Sequence, residues 1–468
     1  MKRLASLLFI LAASIPPSAR GDVKLPKIFG DSMVLQQKSQ AAIWGWADKG
    51  EEVTVTLGES KATAKAGDDG KWSLKLGTPA AGGPFVLSVK GKNEITLPNV
   101  LVGEVWICSG QSNAEWTVGI SSSPDVEREL AKHPKIRMIK VNHNPSEKPV
   151  DDITGQWQTC SPDTVSNFSA IGYFFARHLN SELDVPVGII STNWGGTICE
   201  AWTSKEKLGT DPDFAPILQR SEKFQPGNPN QASVLFNGMV NPIVPYGIRG
   251  AIWYQGESNV SRAAQYRKLF PAMITDWRER FGQGDFPFLF VELAPYRYGN
   301  NLLPELWDAQ LKTLSLKNTG MCVTTDITTV GDIHPPNKQD VGRRLALWAL
   351  ANTYEKAGLP FSGPLYDSMT VDGNKVVLKF KHSAGLHARG NKGLLTHFTI
   401  AGEDQKFVEA QAKVEGETVV VESPTVAKPV AVRFAWNELA EPNLFNGARL
   451  PASPFRTDDF PLLTKDSK

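Results

Sequence analysis

The pattern between residues 100 and 361 constrains the fold more than any other part of the sequence. Short apolar segments alternate there with longer stretches that carry apolar residues every three or four positions. The apolar segments lie at 105–108, 187–190, 250–254, 288–291 and 321–324, and the periodic stretches at 169–183, 265–281, 303–316 and 338–356. Continuous apolar strands alternating with helices indicate a parallel sheet covered by helices on both faces. In such a sheet, ligands bind beyond the carboxyl ends of the strands.

Two β-rich regions flank this segment. From 24 to 99, short segments of alternating polar and apolar residues are separated by Gly, Asp and Pro, which indicates a small β-sandwich. From about 362 onward, strand-like segments such as 375–380 and 418–421 are again separated by Gly-rich turns. We therefore predict three domains after the N-terminal segment: an N-terminal β-sandwich over 22–99, a catalytic α/β domain over 100–361 and a C-terminal β-rich domain over 362–468.

Residues 1–21 have the features of a secretory signal peptide. Met1-Lys2-Arg3 precede an apolar run from Leu4 to Ile15, which is followed by Pro16-Pro17-Ser18-Ala19. The run is shorter than the about 20 apolar residues that span a bilayer, and no later segment approaches that length without charges. The sequence therefore predicts an exported protein, periplasmic or extracellular, with no membrane association after removal of the signal peptide. A buried N-terminal helix is the alternative interpretation.

Composition argues against several classes of function. Lys and Arg total 50 and Asp and Glu total 49 among 468 residues, which disfavours nucleic-acid binding through bulk charge. The sequence contains neither a CxxC nor an HExxH motif, so we expect no metal site. For the four cysteines, Cys108, Cys160, Cys199 and Cys322, we expect either buried thiols or one optional disulfide. The 13 tryptophans are either large core residues or platforms on which sugar rings stack.

Polar motifs follow the apolar strands where ligand binding is expected. They are Ser109-Gly110-Gln111-Ser112-Asn113, Trp194-Gly195-Gly196-Thr197, Trp253-Tyr254-Gln255-Gly256-Glu257-Ser258-Asn259 and Asp332-Ile333-His334-Pro335. A glycine shortly before a serine permits a tight turn that exposes the hydroxyl. Paired glycines let backbone N–H groups approach a ligand, as an oxyanion hole requires. A serine hydroxyl can act as a nucleophile when a histidine within hydrogen-bond reach serves as its base and a carboxylate fixes the tautomer of the imidazole. Each motif taken singly is also consistent with an ordinary turn or helix cap.

In this order, the four motifs resemble those of the SGNH (GDSL-like) hydrolase superfamily and, within it, the sialate O-acetylesterase family. The resemblance extends over nearly the whole chain and includes the closing segment from Leu450 to Asp459. It implies an SGNH-hydrolase-like α/β fold, a parallel sheet flanked by helices, with N-terminal and C-terminal β-rich domains. It also implies a serine esterase that removes O-acetyl groups from sugars without a metal or an organic cofactor.

The resemblance further implies roles for particular residues. Ser112 is the expected nucleophile, His334 its general base and Asp332 the acid partner of the histidine. Glu257 is the alternative acid, because many superfamily members carry the acid three residues before the histidine and that position is Gly331 here. The expected oxyanion-binding groups are the backbone N–H of Ser112, the backbone N–H of Gly196 and the side-chain amide of Gln255. The expected substrate-binding residues are Gln111, Asn113, Trp194 and Trp253.

Two other functions are left open by the sequence. An esterase for acetylated xylan or another polysaccharide would use the same acetyl-transfer machinery, since sugar choice lies in variable loops. A non-catalytic carbohydrate-binding protein on a hydrolase scaffold would be expected to lack the nucleophile or the base, and both are present. The segment 203–231, rich in Pro, Asp and Asn, is either a wall of the substrate pocket or a solvated excursion. The expected partner is an O-acetylated carbohydrate, and the oligomeric state is not predicted.

Overall fold

A computed structural model describes residues 22–327, 330–390 and 393–467 of the chain. The predicted signal peptide at 1–21 lies outside the described residues, so it stays a prediction. None of the helices within these ranges combines the length and the hydropathy that a bilayer crossing requires.

The N-terminal part of the described structure is a small β-rich region to which the first seven strands contribute. They are β1 (Val34–Gln36), β2 (Gln40–Trp46), β3 (Glu52–Leu57), β4 (Ser60–Lys65), β5 (Lys71–Gly77), β6 (Gly82–Lys90) and β7 (Glu94–Gly110). Antiparallel pairs join β2 to β5, β3 to β4 and β6, and β6 to β7. Along β3, Val53, Val55 and Leu57 are buried while the intervening residues are more exposed. This period of two is the reason that the segment forms half-buried strands.

Strand β7 connects this region to the centre of the molecule. It is 17 residues long; its first half pairs with β6 and β1, and its second half pairs with strands of the central sheet. The predicted boundary between residues 99 and 100 therefore falls within one continuous strand. Buried apolar residues on both sides of that point belong to one hydrophobic cluster. The N-terminal region and the central sheet thus share a core.

The central region alternates strands and helices. Its strands are β8 (Ile136–Lys140), β9 (Trp157–Thr159), β10 (Val187–Asn193), β11 (Gly250–Tyr254), β12 (Phe288–Val291) and β13 (Thr319–Cys322). Its α-helices are α1 (Ser112–Glu115), α2 (Pro124–Leu130), α3 (Ala170–Leu183), α4 (Lys205–Leu208), α5 (Ala215–Arg220), α6 (Ala263–Phe281), α7 (Leu303–Thr313) and α8 (Lys338–Asn352). Short 3-10 turns lie at Val118–Ile120, Val165–Asn167, Cys199–Trp202, Pro212–Phe214, Asn241–Ile243 and Glu257–Arg262, and a π-turn at Phe236–Val240.

The strands of the central sheet are ordered β13-β12-β11-β7-β10-β8-β9. All neighbouring pairs are parallel except β8 and β9, which are antiparallel. The α/β fold class expected from the sequence is thereby confirmed. The short strands β8 and β9 were not predicted; they extend one edge of the sheet.

The C-terminal region is again β-rich. Its strands are β14 (Leu365–Asp372), β15 (Lys375–Lys381), β16 (His387–Ala388), β17 (Phe398–Ala401), β18 (Val408–Glu409), β19 (Gln411–Glu415), β20 (Thr418–Glu422), β21 (Ala431–Phe434), β22 (Leu444–Phe445) and β23 (Phe455–Arg456). They form two four-stranded sheets and one two-stranded sheet around a hydrophobic cluster of their own. Ser453 Oγ donates a hydrogen bond to Glu292 Oε1 at 2.6 Å, which joins this region to the residue after β12.

Candidate active site

Three adjacent strands end side by side at one edge of the central sheet. Gly110, the last residue of β7, pairs with Asn193 at the end of β10 and with Tyr254 at the end of β11. Gly110 has a φ of +134°, and a Cβ atom there would lie 2.1 Å from the Tyr254 carbonyl oxygen. Only glycine fits this position without strain. The turn that it permits leads directly into α1, whose first residue is Ser112.

The structure brings Ser112 and His334 together across 222 residues of chain. His334 Nε2 lies 2.8 Å from Ser112 Oγ, which is hydrogen-bond distance. His334 lies on the loop between β13 and α8, just before Pro335 and Pro336, whose fixed φ angles stiffen the loop. The Trp116 indole stacks on the imidazole, with ring centroids 5.0 Å apart and an interplanar angle of 18°. The ring of His334 is therefore held on one face while Nε2 contacts the hydroxyl.

The surroundings of His334 favour its neutral form. Burial lowers the pKa of His334 from its usual 6.5, and the positive charge of Lys338 lowers this pKa further, whereas Asp332 acts in the opposite direction. At neutral pH the imidazole is therefore unprotonated and can accept the proton of the Ser112 hydroxyl. A base in this state is what serine acylation requires.

The two candidate acids occupy different environments. Asp332 is exposed, and its Oδ1 accepts a hydrogen bond of 2.8 Å from the backbone N–H of His334 rather than from the ring. Glu257 Oε1 accepts a 2.6 Å hydrogen bond from Asn113 Nδ2, and burial raises the pKa of Glu257. In the described ranges, neither carboxylate lies within 4.0 Å of a ring nitrogen of His334. Asp332 thus acts on the imidazole through its charge and through the backbone.

The glycine pair, Gly195 and Gly196, lies next to Ser112. A Cβ atom built on Gly195 would lie 3.3 Å from Ser112 Cβ, and Gly195 donates its backbone N–H to Glu115 Oε2 at 2.8 Å. Gly196, which is exposed and has a φ of +72°, has open space where a side chain would be. This leaves room for a substrate carbonyl close to Ser112.

Gln255 is placed differently from its expected role in oxyanion binding. Its side-chain nitrogen donates to the Thr197 carbonyl at 3.1 Å and to Asn259 Oδ1 at 2.7 Å, and the residue is fully buried. Both of its amide protons are engaged, so none is left for an oxyanion. The side chain instead ties the end of β11 to the loop that follows Gly196.

Of the four residues expected to bind substrate, three point into the protein and one lies where a substrate could contact it. Gln111 is buried, and its Oε1 accepts the backbone N–H groups of Gly256 and Ser258, while Asn113 is buried with its amide fully bonded. Trp253 is fully buried and contacts the rings of Trp202, Phe270, Trp277 and Phe288. These three residues support the site from behind because their side chains point into the protein. Trp194 is half-buried and is the one that can reach a substrate.

Two residues beside Trp194 were missed by sequence reasoning. His143 stacks on Trp194 with ring centroids 4.0 Å apart and an angle of 3°. His143 Nε2 lies 3.0 Å from Glu115 Oε1, the carboxylate that also binds the Gly195 N–H. Burial alone would raise the pKa of Glu115, but the His143 and Gly195 hydrogen bonds outweigh it and lower that pKa. The only sequence signal was the closeness of Glu115 to Ser112; His143 lies in a loop without a motif.

The segment 203–231 reaches the site through its end. Asn230 Nδ2 donates to the Gly196 carbonyl at 3.0 Å, and Asn230 Oδ1 accepts the backbone N–H of Ile198 at 3.1 Å. This segment therefore braces the glycine loop.

In the described ranges, no three His, Cys, Asp or Glu side chains are grouped as a metal site would need. The four cysteines are free, buried thiols, in agreement with one of the two expectations.

Comparison with known proteins identifies the family. Residues 102–351, more than half of the chain, match the carbohydrate esterase family named SASA, sialic acid-specific acetylesterase. The sialate O-acetylesterases of Homo sapiens and Mus musculus are 30% and 29% identical, over 91% and 96% of this chain and 90% and 97% of the relatives. The crystal structure of a carbohydrate acetylesterase from Xanthomonas citri superposes with a TM-score of 0.87 at 38% identity, covering 94% of this chain and all of that one. The chain is therefore a carboxylic ester hydrolase that belongs to the sialic acid-specific acetylesterase family of carbohydrate esterases.

Proposed function

We propose that this protein removes O-acetyl groups from sugars, sialic acids among them, through an acetyl-enzyme formed on Ser112. The observation that carries the proposal is the 2.8 Å contact between Ser112 Oγ and His334 Nε2 at the carboxyl edge of the sheet. The family supplies the class of substrate. The same contact argues against a purely carbohydrate-binding role, since such a role needs no nucleophile paired with a base.

In the first half of the reaction, Ser112 Oγ attacks the acetyl carbonyl while His334 Nε2 takes the hydroxyl proton. His334 then returns this proton to the departing sugar oxygen, and the acetyl group stays on Ser112. In the second half, water attacks the acetyl-enzyme with His334 again as base, and acetate leaves. General-base assistance of this kind contributes roughly 10²–10⁴ in rate. Asp332 stabilises the imidazolium through its negative charge.

The developing oxyanion is bound by the backbone N–H groups of Ser112 and Gly196. The open space beside Gly196 and the closeness of Gly195 to Ser112 support this assignment. Loss of one donor of this kind typically lowers turnover about 10²–10³-fold. Gln255, whose amide protons are already bonded, supports the loop that follows Gly196 by donating a hydrogen bond to the Thr197 carbonyl.

The test is acetate release from O-acetylated sialic acids, acetylated xylan and a small aryl acetate. Ser112→Ala and His334→Ala should each abolish release, whereas Ser73→Ala, at an exposed serine of β5, should leave it unchanged. Full activity in either active-site variant would overturn the serine mechanism. If only the aryl acetate is hydrolysed by the unaltered protein, the assignment to sugars is wrong.

A polysaccharide acetylesterase is the second candidate. One observation leaves room for it: the Xanthomonas citri structure, which is more similar in sequence than the animal sialate O-acetylesterases, is described as a carbohydrate acetylesterase, a name that does not specify the sugar. The ratio of kcat/KM on acetylated xylan to that on O-acetylated sialic acid decides between the two. A ratio above one favours the polysaccharide substrate.

We also propose that the protein is exported, on the basis of the basic start and the short apolar run at residues 1–21. The mature chain should then begin at Asp22. Mass spectrometry of the N-terminus, on protein expressed in a bacterium and recovered separately from the cytoplasm, the periplasm and the medium, tests this. Recovery of a chain that begins at Met1, from the cytoplasm alone, would contradict it.

A further inference from the structure

A buried lysine lies directly behind the nucleophile and the base. Lys338 is fully buried and is the first residue of α8. A positive charge is unfavourable both in a buried position and at the N-terminal end of a helix, where the helix dipole is itself positive. Burial lowers the pKa of Lys338 to about 7, although the charges of Glu257 and Asp332 act in the opposite direction. Fold stability alone does not explain a lysine here, since an apolar residue of similar size would avoid these costs.

The hydrogen bonds of Lys338 lead to both halves of the catalytic pair. Its Nζ donates to Asn113 Oδ1 and to the Pro335 carbonyl, each at 2.6 Å. Asn113 is the residue after Ser112, and Pro335 is the residue after His334. Asn113 Nδ2 in turn donates to the Ile333 carbonyl at 2.9 Å. Lys338 and Asn113 thus hold the carbonyl groups of the two residues that flank His334.

Glu257 completes this cluster. Its Oε1 accepts the second N–H of Asn113 at 2.6 Å, so that both N–H groups of that amide are hydrogen-bonded, as is its oxygen. Its Oε2 is shut off from solvent and has no hydrogen-bond partner in the described part of the chain. The negative charge of Glu257 opposes deprotonation of Lys338. Glu257 is therefore the counter-charge of Lys338 and contacts Asn113 rather than the imidazole.

We propose that Lys338 is a positioning residue of the esterase, which with Asn113 and Glu257 holds His334 against Ser112. The cluster Lys338-Asn113-Glu257 acts on His334 in two ways. Its hydrogen bonds fix the two peptide groups that flank His334, and the Lys338 ammonium, which also lies over the Trp116 ring at 5.7 Å, repels a second positive charge on the imidazole. The inference rests on the proposed function, because it assigns to His334 the role of base.

Few other ionisable groups of the described residues act on Lys338 or on the pKa of His334. Lys338 faces Glu257 on the turn after β11, Asp332 on the His334 loop and the Tyr254 ring 5.5 Å away at the end of β11. Tyr298, on the segment after β12, faces Glu257. The charged groups that act on His334 itself are Lys338 and Asp332, with opposite signs. Removal of the Lys338 charge therefore raises the pKa of His334.

The experiment compares Lys338→Met with Lys205→Met, which alters an exposed lysine at the first position of α4. We expect Lys338→Met to lower kcat about 10- to 100-fold, since small displacements of reacting groups have effects of this size. KM should change little because Lys338 contacts no substrate. The acid limb of the kcat/KM profile, which reports the pKa of the free base, should move to higher pH. Lys205→Met should match the unaltered enzyme.

A merely structural role would lower activity without moving the acid limb, and that result would overturn the proposal, as would unchanged kcat. If Lys338→Met does not fold, Glu257→Gln tests the same cluster with little change of shape. Glu257→Gln removes the negative charge that opposes deprotonation of Lys338, so Lys338 loses its positive charge more readily and the acid limb should again move upward. It should lower kcat about 10-fold, far less than the about 10⁴-fold that loss of a triad acid produces. An unmoved acid limb in Glu257→Gln overturns the proposal. Full activity in Ser112→Ala would instead show that the proposed function itself is wrong.

Discussion

Replacement of Gly110 by alanine should disable the enzyme from within the sheet. The added Cβ would lie 2.1 Å from the Tyr254 carbonyl oxygen, whereas ordinary contact begins at 3.4 Å. The ends of β7 and β11 must therefore separate by about 1.3 Å, or the backbone of Gly110 must leave its φ of +134°. Either movement disturbs the 2.9 Å hydrogen bond from Gln111 N–H to that carbonyl, one residue before Ser112.

Two effects of this change can be estimated. The strained φ costs roughly 1–3 kcal/mol and the weakened backbone hydrogen bond about 1 kcal/mol, so the free energy of unfolding should fall by about 2–4 kcal/mol. A displacement of Ser112 by about 1 Å relative to His334 should lower kcat/KM about 100-fold.

The measurements are urea unfolding followed by far-UV circular dichroism and initial rates of acetate release. The matched control is Gly282→Ala: Gly282 is the residue that follows α6, has a φ of +64° and has no atom within 4 Å of the site of a new Cβ. This control should lose about 1 kcal/mol of stability and keep its kcat/KM. If Gly110→Ala behaves like Gly282→Ala in both assays, the steric argument is refuted.

Charged and ionisable side chains around the site and in the sheet should influence both activity and stability. The acid limb of the wild-type kcat/KM profile should have its midpoint below pH 6.5, because burial and Lys338 lower the pKa of His334; a midpoint above 6.5 would contradict this. Burial raises the pKa of Glu292 to about 8 from 4.5, so this group favours folding fully below pH 4.5 and progressively less up to about pH 8, by at most roughly 5 kcal/mol. Glu292→Gln should therefore flatten the decline of urea-unfolding stability between pH 5 and 8, and an equal decline would count against it. Glu115→Gln should weaken the bond that holds the Gly195 N–H and lower kcat about 10-fold, whereas exposed Glu129→Gln should not; equal rates in both would remove Glu115 from the site.

The sequence by itself determined the class of fold and the order of the site motifs. Short apolar runs and helical patterns are local features of the sequence, so strands at 105–108 and 250–254 and the helices between them could be predicted without tertiary information. The parallel arrangement then placed every strand-end motif at one edge of the sheet. Ser112 and His334 could be nominated on that basis, although 222 residues separate them.

Only the tertiary structure decided what each polar side chain at that edge contacts. Gln255, Asn113 and Glu257 look like ligand-binding residues in the sequence, yet each is bonded to a group far along the chain or beneath the site. Side chains alternate between the two faces of the sheet along β11, which sets the direction of Trp253. Trp253 is buried because both faces of the parallel sheet are covered by other elements. Lys338 reads as an ordinary residue of an amphipathic helix and is instead buried behind Ser112. Hydrogen-bond partners and burial depend on residues that are distant in sequence, and a linear pattern carries no information about them.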